Sequence, residues 1–152
     1  MLRPATFCKY WLPVILWAGV IFSASSDSGS GEQTSRLLGP LLRWLFPQLT
    51  PATVADLIFS IRKTAHVTEY ALLALLFWRA CRQPERNDRR PWNWSHARLT
   101  LGFTAFYAAT DEFHQMFVPS REARLHDVAL DICGAAAALL LLWGLGRVRK
   151  TW

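Results

Sequence analysis

"FYAATDEFHQMFVPSR", from Phe106 to Arg121, is the stretch on which the interpretation of the fold depends. It begins as an apolar run, and it then places Asp111, Glu112 and Gln115 side by side shortly before a proline. Ionisable groups at the end of an apolar helix are costly unless polar partners meet them there. The stretch therefore predicts that several helix ends bring polar side chains together at one level.

Four apolar segments run along the 152 residues, of which 52% are hydrophobic, and they predict helices at about 9–26, 62–81, 98–118 and 126–147. Each approaches the ~20 residues that cross a hydrocarbon core of ~30 Å. We therefore predict a single domain, residues 1–152, that is all-α: a polytopic membrane protein with a four-transmembrane-helix bundle. A soluble helical bundle is the alternative.

The segment between the first two predicted helices is also partly helical. "SRLLGPLLRWLF" is amphipathic but interrupted by Gly39 and Pro40, which predicts a short interfacial helical segment. Thr50 and Pro51 form a helix start, and that helix is expected to run straight into the second span. The connector is interpreted either as a lid over the outer face or as a piece that rests on the surface.

The distribution of basic residues predicts the orientation. With both termini cytoplasmic, 11 of the 17 Lys and Arg residues lie inside, as the positive-inside rule requires. Trp11, Trp78 and Trp143 then fall near the cytoplasmic membrane interface. The first segment also resembles a secretory signal peptide, but its apolar run is long and contains Pro13 and Trp17, which favours a retained helix.

In this topology the polar residues of three helices fall in the turns nearest the outer side. Spacings of three and four residues place many of them on shared helix faces. The predicted pocket consists of Lys63, His66, Glu69, Tyr70, Asp111, Glu112, Gln115, Arg121, Asp127 and Asp131. His114 and His126 are predicted to lie at its rim. Ionisable residues inside a membrane are functional candidates, although the same cluster would also suit an ion-pair network that only locks the helices.

Several classes of function have no support in the sequence. Cys8, Cys81 and Cys133 lie far apart without metal-binding spacing, and neither an HExxH nor a GxSxG motif is present. We therefore predict no metal and no cofactor, and no catalytic residue is assigned. The basic run that includes Arg89 and Arg90 suggests orientation and contact with anionic lipid, not a nucleic-acid partner.

The polar motifs resemble those of the VanZ-like family of small bacterial membrane proteins. They are a Lys–x–x–His–x–x–x–Tyr helix start, an acidic–x–x–Gln–x–Phe–x–Pro–x–Arg segment and an Asp–x–x–x–Asn–x–x–Gly helix. The matching positions are Lys63, His66 and Tyr70; Glu112, Gln115, Phe117, Pro119 and Arg121; and Asp127, Asp131 and Gly134. Position 131 is Asp where the family usually has Asn, which adds a carboxyl group to the predicted pocket.

The resemblance implies a multi-pass protein of the bacterial cytoplasmic (inner) membrane that is related to low-level teicoplanin resistance. Besides the lipid bilayer, it implies as partner a lipid-linked envelope ligand or a lipoglycopeptide.

Three functions follow as hypotheses. In a binding protein, Lys63 and Arg121 would meet an anionic or amphiphilic ligand. In an enzyme acting on a lipid-linked substrate, His66 and Glu112 would exchange protons while Asp127 orients His66, or a divalent metal would be held by His66, Glu69, Glu112 and Asp127. In a structural protein, the polar cluster would only dock helices.

Overall fold

The computed structural model of the chain describes residues 4–26, 31–85, 88–119, 121 and 124–150. Within these ranges there are six α-helices and no β-strand, so the all-α prediction is confirmed for this part of the chain. The helices are α1 (Pro4–Tyr10), α2 (Leu12–Ser25), α3 (Gly31–Leu45), α4 (Pro51–Arg82), α5 (Trp94–Gln115) and α6 (Leu125–Val148).

The first predicted helix, 9–26, is divided into α1 and α2, which meet at an angle of 41°. Pro13 lies in the first turn of α2 and has no backbone N–H to donate to the carbonyl of Lys9. That carbonyl oxygen instead accepts a hydrogen bond of 2.9 Å from the Arg79 guanidinium of α4. The proline thus bends the segment and frees a carbonyl group that fastens it to α4.

The predicted interruption at Gly39 and Pro40 is wrong, because α3 runs through both residues as one helix. Pro40 removes a single backbone hydrogen bond, and packing of α3 along α4 compensates for it. The outward face of α3 is apolar: the side chains of Leu37 and Trp44 are 77% and 76% exposed. This is the amphipathic pattern of a helix at a membrane interface.

The expected helix start at Thr50 and Pro51 is confirmed. The Thr50 hydroxyl accepts a hydrogen bond of 3.2 Å from the backbone N–H of Thr53, and Pro51 occupies the first turn. From there α4 continues for 32 residues and ends at Gln83, which has a left-handed backbone conformation with φ of 47°. At 1.5 Å per residue α4 is about 48 Å long, well beyond one hydrocarbon core.

The contacts between helices fix their relative directions. The Tyr107 hydroxyl of α5 donates to the carbonyl of Ala18 on α2, and Ser25 meets Asp111 further along both helices, so α2 and α5 are parallel. Tyr70 of α4 also contacts Asp111, whereas Phe77 stacks on Phe103 nearer the start of α5, so α4 and α5 are antiparallel.

Helix α6 runs in the same direction as α4, because Lys63 pairs with Asp127 and Val67 lies against Gly134. Consequently the end of α2, the middle of α4, the end of α5 and the start of α6 share one end of the bundle. We call it the acidic end, and define it by Ser25, Lys63, Asp111 and Asp127.

At the opposite end, four tryptophans form a layer with ring centroids 5.4–5.8 Å apart, and we call it the tryptophan end. They are Trp78, Trp92, Trp94 and Trp143. In the loop beside them the Asp88 carboxylate accepts hydrogen bonds from the guanidinium groups of Arg90 and Arg82. The hydrogen bonds from Arg90 are the main cause that holds the pKa of Asp88 below its ordinary value. Burial acts in the opposite direction and raises this pKa.

The mainly apolar interior of the bundle also contains polar side chains, and its surface carries many large apolar ones. Ser25, Thr100 and Thr104 are completely buried. By contrast, Phe106 and Phe113 on the outward face of α5 are 70% and 62% exposed.

Among the described residues, α6 alone is long and apolar enough to cross a bilayer as a single helix. The bent pair α1 and α2 qualifies together as a broken span. This is fewer than the four predicted spans. Helices α4 and α5 carry charged residues along their length, such as Glu69 in α4 and Arg98 in α5, and these lower the mean hydropathy of both helices.

The closest approach of α4 to α6 depends on Gly134. A Cβ atom at this position would lie 2.7 Å from Val67 Cγ1 and 2.8 Å from the Val67 carbonyl oxygen. Because the second contact is with backbone, the two helices would have to separate. The small-residue stretch that begins at Gly134 thus permits close packing of α4 and α6.

We predict that Gly134→Ala lowers the free energy of unfolding by about 1–3 kcal/mol, the usual cost of overpacking. Gly144→Ala is the matched control, because it lies on the same helix and a Cβ atom there would have no neighbour within 4 Å. Unfolding of both variants in detergent would measure the difference. Equal stability of the two variants would contradict the close contact between α4 and α6.

Candidate functional site

A cavity of about 420 Å³ opens at the acidic end, between α4 and α6. The end of α5, the first turn of α3 and the segment before α6 complete its wall. Seven of the residues predicted from sequence line it: Lys63, His66, Glu112, Gln115, Arg121, Asp127 and Asp131. The cavity is therefore built where three helices end or begin.

An ion pair joins α4 to α6 at the mouth of the cavity. The Lys63 ammonium donates to Asp127 Oδ1, and His126 Nε2 lies 3.2 Å from the same oxygen. Asp127 sits in the first turn of α6, where the positive end of the helix dipole also stabilises a carboxylate. Lys63 is thus already paired, which reduces its capacity to bind an external anion.

Two further charged residues hold the chain around the cavity. The Glu112 carboxylate accepts a hydrogen bond from the backbone N–H of Arg124, just before α6. The Arg121 guanidinium donates to the carbonyl oxygens of Ala24 and Ser26 at the end of α2. Both side chains therefore have a structural role in addition to lining the cavity.

Asp131 differs from these neighbours. Its side chain is on the cavity wall and the residue is only 5% exposed. Nothing in the described part of the chain donates a hydrogen bond to its carboxyl group or forms an ion pair with it. Arg62, which is half-buried on the same wall, likewise has no hydrogen bond or ion pair with a described residue.

Tyr70 and Asp111 were predicted to line the pocket, but they lie outside the cavity, in the core between the helices. Asp111 Oδ2 accepts hydrogen bonds from Ser25 Oγ at 2.7 Å, the Tyr70 hydroxyl at 3.0 Å and Gln115 Nε2 at 3.1 Å. Tyr70 and Ser25 are completely buried. One carboxyl group therefore connects α2, α4 and α5, and these side chains serve the fold.

Glu69 also lies away from the cavity. It lines a second, mainly apolar groove together with Trp17 and residues of the opposite face of α4. The Trp17 indole N–H donates to the backbone carbonyl of Glu69 at 3.0 Å. Spacings of three and four residues suggested one shared face, but the 100° rotation per residue turns Glu69 away from Lys63.

His66 and Glu112 line the same cavity, but the predicted contact between Asp127 and His66 is not formed. Asp127 is bonded to Lys63 and His126, and His66 makes no hydrogen bond to a described residue, so Asp127 does not orient His66. In the described ranges, no three His, Cys, Asp or Glu side chains come close enough to hold one metal ion. His114 packs against the Phe22 ring, with centroids 4.3 Å apart.

Comparison with known proteins identifies the family: the model of the VanZ/LLP1 family matches residues 10–147. The chain belongs to the VanZ/LLP1 family. The match spans α2, α3, α4 and α5 and nearly all of α6, so it includes the whole cavity wall. No curated protein and no solved structure matches the chain.

Several cavity residues of this VanZ/LLP1 protein were not predicted from the sequence. They are Glu32, Phe59, Arg62, Val67 and Leu130. Arg62 precedes the motif Lys63 by one residue, and Leu130 precedes Asp131, so the signal available was proximity to a motif. Glu32 comes from α3 and is 31 residues distant from Lys63, and only the fold brings it to the cavity.

Asp111→Ala is predicted to lower the free energy of unfolding by about 3 kcal/mol, because three buried donors lose their acceptor at once. The control is Asp56→Ala, an exposed carboxylate of α4, for which we expect a change within about 0.5 kcal/mol. Detergent unfolding followed by circular dichroism measures both variants. If Asp111→Ala were as stable as Asp56→Ala, the three-helix connection would be refuted.

Proposed function

We propose that this VanZ/LLP1 protein spans the bacterial cytoplasmic membrane four times and binds a lipid-linked or amphiphilic cell-envelope ligand in the cavity at its acidic end. The four proposed spans are the broken pair α1–α2, the second half of α4, α5 and α6. The acidic end faces outward, and both termini lie in the cytoplasm.

The combination of buried polar and exposed apolar side chains supports the four spans. The polar residues that lower the mean hydropathy of α5 are largely buried within the bundle, including Thr100, Thr104, Asp111 and Glu112. Its exposed face presents Phe residues. A helix with this distribution exposes apolar side chains and keeps its polar side chains inside the bundle, which suits a membrane environment.

The unequal charge of the two ends supports the orientation. The tryptophan end carries Arg79, Arg82, Arg89, Arg90 and Arg147, in addition to residues near both termini. A layer of tryptophans beside basic residues is typical of a cytoplasmic membrane interface. The α3 helix, with its exposed apolar face, would then lie on the outer leaflet beside the cavity.

The single observation that carries the binding proposal is a cavity whose wall contains ionisable side chains that are not paired with any described residue. Most charged groups at the acidic end are satisfied by their neighbours, which suits a scaffold. Asp131 and Arg62 line the cavity without a hydrogen bond or ion pair to a described residue. A ligand that supplies the missing partners accounts for both residues. Membership of the VanZ/LLP1 family motivates the further proposal that the protein reduces susceptibility to teicoplanin.

We predict that Arg62→Ala abolishes protection against teicoplanin while the protein still accumulates in the membrane. Arg62 lines the cavity without bonding to any described residue, so its loss removes a ligand contact and releases no helix. The measurement is the minimum inhibitory concentration of teicoplanin for a susceptible host that expresses each variant, with immunoblotting of membranes.

The matched control is Arg43→Ala, which removes an exposed arginine from the last turn of α3, outside the cavity wall. This variant is expected to protect as well as the wild type. Full protection by Arg62→Ala would show that the cavity is not the site of action. A wild-type protein that gives no protection would refute the proposed role in resistance.

A further inference from the structure

The buried and the exposed residues of the cavity wall differ in charge. Glu112, Gln115 and Asp131 are buried acceptors, and we call them the floor. Arg62 and Arg121 are half-buried and Arg124 is exposed, and we call these three the basic rim. The exposed Glu32, which pairs with Arg36, and Asp127, which pairs with Lys63, are the other acidic residues of the wall.

Two basic residues beside the floor are already bonded to other groups. Lys63 pairs with Asp127, and Arg121 donates to carbonyl groups of α2. Asp131, one helical turn further into α6 than Asp127, has no bond to a described residue although it is 95% buried. A buried carboxyl group among other carboxyl groups is stabilised by a cation that also donates hydrogen bonds.

The floor also offers acceptors for more than one donor. Gln115 Nε2 donates to Asp111, which leaves the amide oxygen of Gln115 as an acceptor on the cavity wall. The Glu112 carboxylate uses one oxygen for the Arg124 backbone N–H and retains its second oxygen. A primary ammonium group has three N–H donors, as many as the acceptor residues of the floor. A quaternary ammonium group has none.

The side wall has an apolar exit. Phe59 and Leu130, from facing helices, line the cavity and remain exposed on the outer surface of the bundle, at 52% and 43%. In the proposed topology this surface meets the acyl chains of the outer leaflet. A lipid head group could thus occupy the cavity while its chains stay in the bilayer.

We infer that the ligand is a phospholipid whose head group ends in a primary ammonium, as in phosphatidylethanolamine. The ammonium binds Asp131 at the floor, the phosphate lies at the basic rim near Arg62, and the acyl chains leave past Phe59 and Leu130. The inference rests on the proposed binding function and specifies its ligand class. It also gives a role to the Asp at position 131, because an Asn there could not ionise and pair with the ammonium group.

The test compares short-chain phospholipids with the same acyl chains and different head groups: phosphatidylethanolamine, phosphatidylglycerol and phosphatidylcholine. Native mass spectrometry of the detergent-solubilised full-length protein gives the dissociation constants. Wild-type protein is expected to bind phosphatidylethanolamine about tenfold more tightly than the other two, as one charged hydrogen bond implies. Free phosphoethanolamine, which lacks the acyl chains, is expected to bind more weakly than the lipid.

Asp131→Asn keeps the size of the side chain and removes the group that can carry a negative charge. It is expected to weaken binding of phosphatidylethanolamine about tenfold while leaving that of phosphatidylglycerol within about twofold. Asp56→Asn, on the exposed surface of α4, is the matched control and is expected to leave all affinities unchanged. A circular dichroism unfolding curve for each variant confirms that the compared proteins are folded.

Three results would overturn the inference: equal affinity of the wild type for phosphatidylethanolamine and phosphatidylglycerol, an unchanged preference in Asp131→Asn, or no binding of any phospholipid. Binding of free phosphoethanolamine as tight as that of the lipid would exclude a lipid ligand and overturn it as well. The proposed function is judged separately by the Arg62→Ala protection measurement, which does not depend on phospholipid binding. Failure of one can therefore be distinguished from failure of the other.

Discussion

The carboxyl group of Asp111 is the point on which the rest of the structure depends. A single oxygen of this group accepts hydrogen bonds from α2, α4 and α5 through Ser25, Tyr70 and Gln115. In an apolar environment each of these donors would be costly to leave unpaired, so the carboxyl group fixes three helices at one depth. Helix α6 is added by the Gly134 contact and by the ion pair between Lys63 and Asp127. The cavity lies at the same end of the bundle as these contacts.

The polar residues of the acidic end divide into two groups with different consequences. Asp111, Tyr70, Arg121 and Glu112 bond to other parts of the chain and hold helix ends together. Asp131 and Arg62 face the cavity without such bonds to the described residues. The motifs of the VanZ/LLP1 family thus contain both a scaffold and candidate ligand contacts. Loss of function in a variant of the first group would not by itself identify a binding site.

Much of the fold could be predicted because its signals are local. Thr50 and Pro51 mark the start of α4, and the small residue Gly134 indicates close packing within an apolar helix. Pro40 misled the prediction, because packing of α3 on α4 outweighs the loss of one hydrogen bond. For the site, helical spacing correctly predicted which helix ends lie together, but it did not predict which face of each helix lines the cavity. It grouped Glu69 with Lys63, and it could not reveal that Tyr70 and Asp111 bond to each other across 41 residues of sequence.

The central claim is that the acidic end and its cavity face the extracytoplasmic side, and accessibility of single cysteines tests it most directly. In a chain whose Cys8, Cys81 and Cys133 are replaced by alanine, Arg124→Cys reports the cavity mouth and Ser95→Cys reports the tryptophan end. Both positions are exposed. In intact cells, a membrane-impermeant maleimide should label position 124 and should label position 95 only after the membrane is opened. Labelling of position 95 from outside, with position 124 protected, would contradict the account.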